Sequence, residues 1–247
     1  GRDAAADKEN AERLILSWTC AGILSINAVT VTLASYSVMI KDRVSGKLNS
    51  IYTAPISRGV IALGYITAAW IASVIVCGIT LVITECYGVM QGLEAFSASV
   101  HLKLMGMIMV NSFTYAALMY LIALLAKTEG AWSGIGTVIG TLVGFLGGIY
   151  IPIGALSEGI GTLMKCTPVI YGTAMFREIM TADILAKTFT DIPTEFVTEY
   201  KEVMGIRLLV SDNAMSTTQE MILLFVFGIL FLLVGICVLK YSKKTDR

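Results

Sequence analysis

A segment with several charged side chains separates the first two long apolar stretches. It comprises residues 41–58, KDRVSGKLNSIYTAPISR. From Leu48 to Ile56 the apolar positions recur at intervals of three and four residues, which predicts a short amphipathic helix ended by Pro55. Its polar face would be available to another protein. The alternative is an ordinary basic loop that only orients the chain in a membrane.

Catalytic and metal-binding chemistry is poorly supported. His101 is the single histidine, and the five cysteines include no CxxC pair. Cys20, Cys77 and Cys237 sit in apolar runs, where cysteine behaves as a small hydrophobic residue. Gly46-Lys47 does not form a nucleotide-binding loop, because the upstream glycine and a following Ser or Thr are lacking. We therefore expect no catalytic site, no metal site and no cofactor bound by this chain.

Neutral polar residues inside two apolar stretches could line a path for an amphipathic or lipid-like substrate. The candidates are Asn27, Tyr36, Asn111 and Tyr115. The alternative is that they form hydrogen bonds between helices, each worth about 1 kcal/mol. Acidic and basic residues are missing from the middle of the long stretches, which disfavours an ion-coupled transporter.

A row of glycines follows a four-residue spacing at Gly136, Gly140, Gly144 and Gly148. This spacing places them on one helix face and lets another helix approach closely. They predict a helix-packing seam, either between the two halves of a dimer or against a helix of the same chain.

The elements that would position these residues follow from composition. Hydrophobic residues make up 56% of the 247 positions and charged residues 15%, which favours a membrane protein. The net charge of zero argues against a nucleic-acid partner. A spanning helix needs about 20 apolar residues. Five stretches predict an all-α, polytopic transmembrane helical bundle, with spans near 14–40, 59–84, 104–126, 131–150 and 221–239.

The remaining segments divide the chain further. We expect residues 1–13 to form an extracellular tail, 14–240 the transmembrane domain with the loop 41–58, and 241–247 a cytoplasmic tail. Residues 151–220 are expected to form an outer region with a re-entrant hairpin. Asp191 and Pro193 predict the start of an outer helix there.

Orientation follows from basic residues near the ends of the spans. If 41–58, 127–130 and 240–247 share one side, that side holds nine basic residues against three acidic ones. The other side also holds nine basic residues, spread over a longer sequence and outnumbered by fifteen acidic ones. We expect the first side to be cytoplasmic. The N-terminus would then lie outside and the C-terminus inside, which suggests a six-span protein whose first span is missing, or else a short translocated tail.

Two segments resemble a known family. The run KDRVSGKLNSIYTAPISRGVIALGY is similar to the first cytoplasmic loop of type-2 ABC transporter permeases, with an acidic–Arg pair, a glycine, a short coupling helix and Pro-x-Ser-Arg. The acidic position, usually Glu in that family, is Asp42 here. The run GFLGGIYIPIGALSEGIGTLMKCTPVIYGTAMFREIM resembles the family's glycine-rich fifth span, re-entrant hairpin and outer Pro-x-x-Tyr segment. The resemblance covers residues 14–240.

The resemblance implies a mechanism and a set of partners. Permeases of this class pair as homodimers or heterodimers in the plasma (inner) membrane, where they contact membrane lipid. Each half docks an ABC ATPase subunit that binds ATP and magnesium. The chain would be the permease of an exporter of drugs, peptides, lipids or glycans. The residues that this resemblance assigns to the ATPase-coupling interface are Asp42, Arg43, Gly46, Lys47, Pro55 and Arg58.

Two other functions fit the same helices. One is a secondary transporter driven by an ion gradient. The other is a membrane scaffold or immunity component that transports nothing.

Overall fold

A computed structural model describes residues 4–48, 55–190, 192–210 and 213–245. Nearly all of these residues are helical, as the apolar stretches predict. The long helices are α1 (Ala4–Val44), α2 (Arg58–Met90), α3 (Ala98–Leu125), α4 (Glu129–Leu146) and α9 (Thr217–Thr245). Between α4 and α9 lie a 3-10 turn (Ile153–Ala155), α5 (Glu158–Lys165), α6 (Pro168–Met180), α7 (Ala182–Thr188), α8 (Thr194–Val203), β1 (Leu209–Val210) and β2 (Asn213–Ala214).

Four helices of the described chain are long and apolar enough to cross a membrane. These segments are Lys8–Val44, Arg58–Met90, Ala98–Leu125 and Thr217–Leu239. They contain, or nearly contain, four of the five predicted spans, and the predicted all-α polytopic bundle is confirmed. Since α2 and α9 carry many exposed large apolar side chains, such as Ile75, Val82 and Leu233, these faces suit contact with lipid.

The fourth predicted span differs from the expectation. Helix α4 has 18 residues and ends at Leu146, whereas the span was predicted to reach residue 150. Gly148 adopts a φ of 64°, and the amide of Ile149 bonds to the carbonyl of Gly144. This is a glycine-terminated helix end, which a residue with a side chain adopts poorly. At 1.5 Å per residue α4 is about 27 Å long, and its role as a fifth span stays a prediction.

The long helices pack around α1, which contacts α2, α3, α4 and α6. Helix α9 lies against α3, where Gly228 allows the ring of Phe113 to approach its backbone. A Cβ atom at Gly228 would stand 2.8 Å from that ring. Close contact of this kind fixes one relative position of the two helices.

Residues 151–220, the predicted outer region, contain a helical hairpin formed by α5 and α6. Pro168 begins α6 at a position where proline's missing amide hydrogen costs nothing. Most side chains of α6 are buried against α1, α3 and α9, whereas α5 is largely exposed. Helix α8 begins after Pro193, close to the predicted start, although Asp191 lies outside the described residues. The β1–β2 pair, with Leu209 opposite Ala214, was not predicted.

Candidate functional site

Arg43, in the last turn of α1, binds the end of α3. Its Nη1 donates to the carbonyl oxygens of Ala126, at 2.7 Å, and Ala123, at 3.1 Å. Helix α3 ends at Leu125, so Ala123 carries one of the last carbonyls, which have no partner within the helix. A guanidinium satisfies these carbonyls and interacts favourably with the negative end of the helix dipole. Arg43 therefore fixes the end of α1 to the end of α3.

The neighbouring Asp42 binds α2 instead. Its Oδ2 accepts a hydrogen bond of 2.7 Å from the hydroxyl of Tyr65, which lies two turns into α2. Together with Arg43, this bond joins three long helices where the loop 41–58 begins. We call Asp42, Arg43 and Tyr65 the three-helix clamp. All of its recorded hydrogen bonds are made within the chain, so Asp42 and Arg43 position the loop.

The other predicted coupling residues project from the same end of the bundle. Gly46, with a φ of 76°, turns the chain after α1, and Lys47 is exposed. Pro55 is exposed, and Arg58 begins α2 next to its cap Ser57. Most of the predicted amphipathic helix lies outside the described residues, since 49–54 are not among them. The docking role of these residues stays a prediction.

The four candidate substrate-path residues lie between helices. Asn27 Nδ2 donates to Thr80 at 2.8 Å, and the Tyr36 hydroxyl donates to the carbonyl of Ala116 at 2.7 Å. Asn111 Nδ2 donates to the carbonyl of Ser25 at 3.3 Å, and Tyr115 is fully buried. The first three thus make the interhelical hydrogen bonds that were the alternative interpretation. A direct role in a substrate path stays a prediction for all four.

A groove of about 520 Å³ runs between α1 and α4. Its walls carry the hydroxyls of Thr30, Ser37, Ser133 and Thr137, and Trp132 Nε1 donates to the Ser37 hydroxyl at 3.1 Å. Lys41 and Glu129 line the end nearest the clamp. This groove could not be predicted from the sequence, because its hydroxyls come from two helices that are distant along the chain. The i, i+7 spacing of Thr30 and Ser37 was the available signal.

The glycine row of α4 is shorter than predicted. Gly148 lies in the turn after the helix, and Gly144 is covered by the ring of Tyr150. A Cβ atom at Gly136 would meet Leu33 of α1 at 3.5 Å, whereas one at Gly140 would meet nothing within 4 Å. Gly148 is therefore not on the predicted face, because the helix ends before it. The seam stays a prediction for the others, with Gly140 on the open side.

Arg177 of α6 is a buried charge that sequence analysis missed. It has no exposed surface, and its guanidinium carbon lies 3.7 Å from the centroid of the Trp18 ring. Its Nη2 donates to the carbonyl of Gly148 at 3.1 Å, and its Nη1 to that of Met204 at 3.4 Å. Arg177 thus joins α1, the turn after α4 and the end of α8. No local pattern around Arg177 distinguishes it from an exposed arginine.

Glu85 and His101 join α2 to α3 at the end opposite the clamp. Their Oε2 and Nε2 atoms lie 2.7 Å apart, and Glu85 Oε1 accepts from the amide of Phe96 at 2.9 Å. Neither residue was assigned a structural role from the sequence, yet the two side chains fix the connection between these helices.

These features define a polytopic helical membrane protein whose loop 41–58 is anchored to three helices. The model of the family described as "ABC-2 family transporter protein" matches residues 6–237. The chain therefore belongs to the ABC-2 transporter family, and it is a multi-pass membrane component of a transporter. No curated protein and no solved structure gives a significant match to the chain.

Proposed function

We propose that this chain is the permease subunit of an ABC exporter. It moves an amphipathic, peptide, drug or lipid-like substrate out of the cell, while a separate ABC ATPase subunit binds ATP and magnesium and hydrolyses the ATP. The three-helix clamp is the observation that supports this function best. A permease that is driven by a separate subunit needs its docking loop attached firmly to the helices that must move.

The clamp attaches the start of the loop to two neighbouring helices. Asp42 binds α2 through Tyr65, and Arg43 binds the end of α3, so a displacement of the loop moves α1, α2 and α3 together. ATP-driven closure of two ATPase subunits would displace the loop. The energy comes from the different affinity of the two permease conformations for the closed ATPase.

Docking itself belongs to the exposed part of the loop. Lys47 and Pro55 are exposed, and the segment between them includes the predicted amphipathic helix. In this proposal the loop is cytoplasmic, the N-terminus of this chain is outside and the membrane is the plasma membrane. The basic residues near the ends of the spans support this orientation.

The groove between α1 and α4 is a second candidate for the substrate path, beside Asn27, Tyr36, Asn111 and Tyr115. It is lined by hydroxyls together with apolar side chains such as Leu33, which suit an amphipathic substrate. The exposed face of α4 around Gly140 would meet a second permease half, identical or different, so that two grooves enclose one cavity.

Purification of the full chain from its native membrane tests the proposal. We expect an ATP-hydrolysing subunit to co-elute, and Lys47→Glu to weaken this association because it reverses an exposed charge in the docking loop. Lys201→Glu, a charge reversal in α8, is the matched control and should leave co-elution unchanged. Transport that continues without ATP in an ion gradient would identify a secondary transporter instead. A chain that binds no ATPase and transports nothing would be a scaffold.

A further inference from the structure

A cavity of about 120 Å³ lies between α1, α2 and α7, at the end of the bundle opposite the clamp. The segment that connects α2 to α3 forms its remaining wall and is fixed at two points. Glu94 binds Lys187 of α7 at 2.6 Å, and the carbonyl of Gln91 accepts from Arg13 Nε at 3.3 Å. One water needs about 10–15 Å³ of such a volume. The cavity therefore has room for a small organic molecule.

One face of α1 presents four hydrogen-bonding side chains to this cavity. Asn10, Arg13, Ser17 and Cys20 all line it, and their spacing of three, four and three residues places them on the same side of the helix. Each of them can donate a hydrogen bond, and Arg13 adds a positive charge. Its Nη2 binds Glu9, whose side chain is 60% exposed, and an exposed pair of this kind is weak. The guanidinium can therefore bind an anion in the cavity.

Ser17 is the observation that points to a ligand. The residue is only 4% exposed, and its hydroxyl makes no hydrogen bond among the described residues. The nearby Thr19, by contrast, donates to the carbonyl of Ile15 at 2.8 Å. Buried polar groups are normally hydrogen-bonded. Because Ser17 lines the cavity, a molecule inside the cavity can supply the partner that the protein does not.

Carboxylates lie on the other walls. Glu85 of α2 lines the cavity, but its oxygens are occupied by the amide of Phe96 and by His101. Asp183 of α7 also lines it and has no hydrogen bond or ion pair among the described residues. The cavity thus offers donors and a cation on α1, a carboxylate on α7, and an apolar surface that includes Leu93, Met180 and Ile184.

A molecule with a carboxylate, an ammonium and a short hydrocarbon group matches these three features. A guanidinium binds a carboxylate through two parallel hydrogen bonds, a serine hydroxyl can donate to the same group, and an ammonium suits a carboxylate. We propose that this cavity binds a free α-amino acid with a small aliphatic side chain, its carboxylate at Arg13 and Ser17 and its ammonium at Asp183. This site is additional to the exporter function and does not depend on it.

Binding to the purified full chain in detergent, without ATP or a partner subunit, tests the proposal. L-Valine is titrated calorimetrically beside isovalerate, which lacks the amino group, and isobutylamine, which lacks the carboxylate. We expect valine to bind about tenfold tighter than either, because each analogue leaves one charged group of the cavity without its partner. Failure of the exporter function would leave this preference unchanged, and failure of valine binding would leave the exporter function unchanged.

The variants assign the contacts. Ser17→Ala removes a hydroxyl that joins no other part of the described chain, so valine binding should weaken about tenfold while the ligand-free unfolding midpoint stays the same. Arg13→Gln should weaken valine and isovalerate but not isobutylamine, and Asp183→Asn should weaken valine and isobutylamine but not isovalerate. Thr19→Ala is the control, because Thr19 does not line the cavity, and it should bind valine as the wild type does.

Cys20 reports where the ligand lies. Its thiol is free and lines the cavity, whereas Cys77 is a free, buried thiol that does not line it. In a background where Cys86, Cys166 and Cys237 are serine, valine should slow the reaction of Cys20 with methyl methanethiosulfonate severalfold. The reaction of Cys77 should not change.

Three results would overturn the proposal. The wild-type chain could bind no valine, so that the cavity holds only water, or could bind the three compounds equally. Ser17→Ala and Arg13→Gln could both bind valine normally, which would mean that the carboxylate lies elsewhere. Valine could protect Cys77 and leave Cys20 reactive, which would place the ligand outside this cavity.

Discussion

The guanidinium of Arg177 lies 3.7 Å from the centre of the Trp18 ring, and both side chains donate to the carbonyl of Met204. An aromatic face and two carbonyls stabilise this arginine, which has no exposed surface, although its Nε has no hydrogen-bond partner among the described residues. Through these contacts α6 is held between α1 and the segment that follows α8.

Replacing Arg177 by lysine should destabilise the outer region. Lysine keeps the charge but cannot reach two carbonyls and stack on a ring at once, so we expect a loss of about 3 kcal/mol in unfolding free energy. Thermal unfolding in detergent measures this loss. Arg207→Lys, at a half-buried arginine of the same region, is the control. Equal midpoints for the two variants would contradict the structural role of Arg177.

Breaking the three-helix clamp should uncouple transport from ATP hydrolysis. Arg43→Gln removes charge-assisted bonds to the end of α3, and Tyr65→Phe removes the bond to Asp42. We expect transport per ATP hydrolysed to fall about tenfold for Arg43→Gln, which corresponds to ~1.4 kcal/mol, with a smaller effect for Tyr65→Phe. Substrate uptake and phosphate release in inside-out vesicles give the ratio.

The exposed Lys127→Gln, next to the end of α3, is the matched control for the clamp variants. Charge reversal at both Asp42 and Arg43 is the most severe test. The double variant should still insert into the membrane, so that a loss of coupling would not result from failed insertion. Normal coupling in that double variant would refute the function assigned to the clamp.

Chemical labelling tests the proposed orientation. Ser45 is exposed in the loop that is proposed to be cytoplasmic, and Thr198 is partly exposed on α8 at the other end. In a background where Cys86, Cys166 and Cys237 are serine, Ser45→Cys should react with an impermeant maleimide only after permeabilisation. Thr198→Cys should react in intact cells. The reverse pattern would place the loop outside, where no cytoplasmic ATPase could reach it.

Gly172 should not tolerate a side chain. A Cβ atom there would stand 2.5 Å from Asn111 Oδ1 and 3.0 Å from Ser25 Oγ, in the contact of α6 with α1 and α3. Gly172→Ala should therefore cost about 1–3 kcal/mol, measured by thermal unfolding. Gly64→Ala is the control, because nothing lies within 4 Å of its Cβ position. The double variant Gly172→Ala/Asn111→Ala should regain part of the unfolding free energy that Gly172→Ala loses. If it regains none, another contact is responsible for the loss.

Long uninterrupted apolar stretches made four spans predictable, because the cost of exposing backbone polar groups to lipid permits few alternatives to a helix. The end of α4 was missed although Gly147 and Gly148 were visible, since the same glycines also suit helix packing. Which way a polar side chain points cannot be read from hydropathy. For this reason the sequence left open whether Tyr36 and Asn111 line a substrate path or bond to other helices, and Arg177 and Glu220 were overlooked as buried groups.

Helix α1 is continuous from Ala4 to Val44 and carries Trp18 and Arg43 on the same rigid rod. These residues are separated by about 38 Å along its axis at 1.5 Å per residue. Trp18 and Arg43 are each bound to another part of the chain. With about 38 Å between them, a tilt of α1 by ~10° about one of these residues would move the other sideways by ~7 Å. Motion imposed at the end that carries the proposed docking loop would thus reach the opposite end of the bundle mechanically, as in a lever, without any relay of intermediate rearrangements.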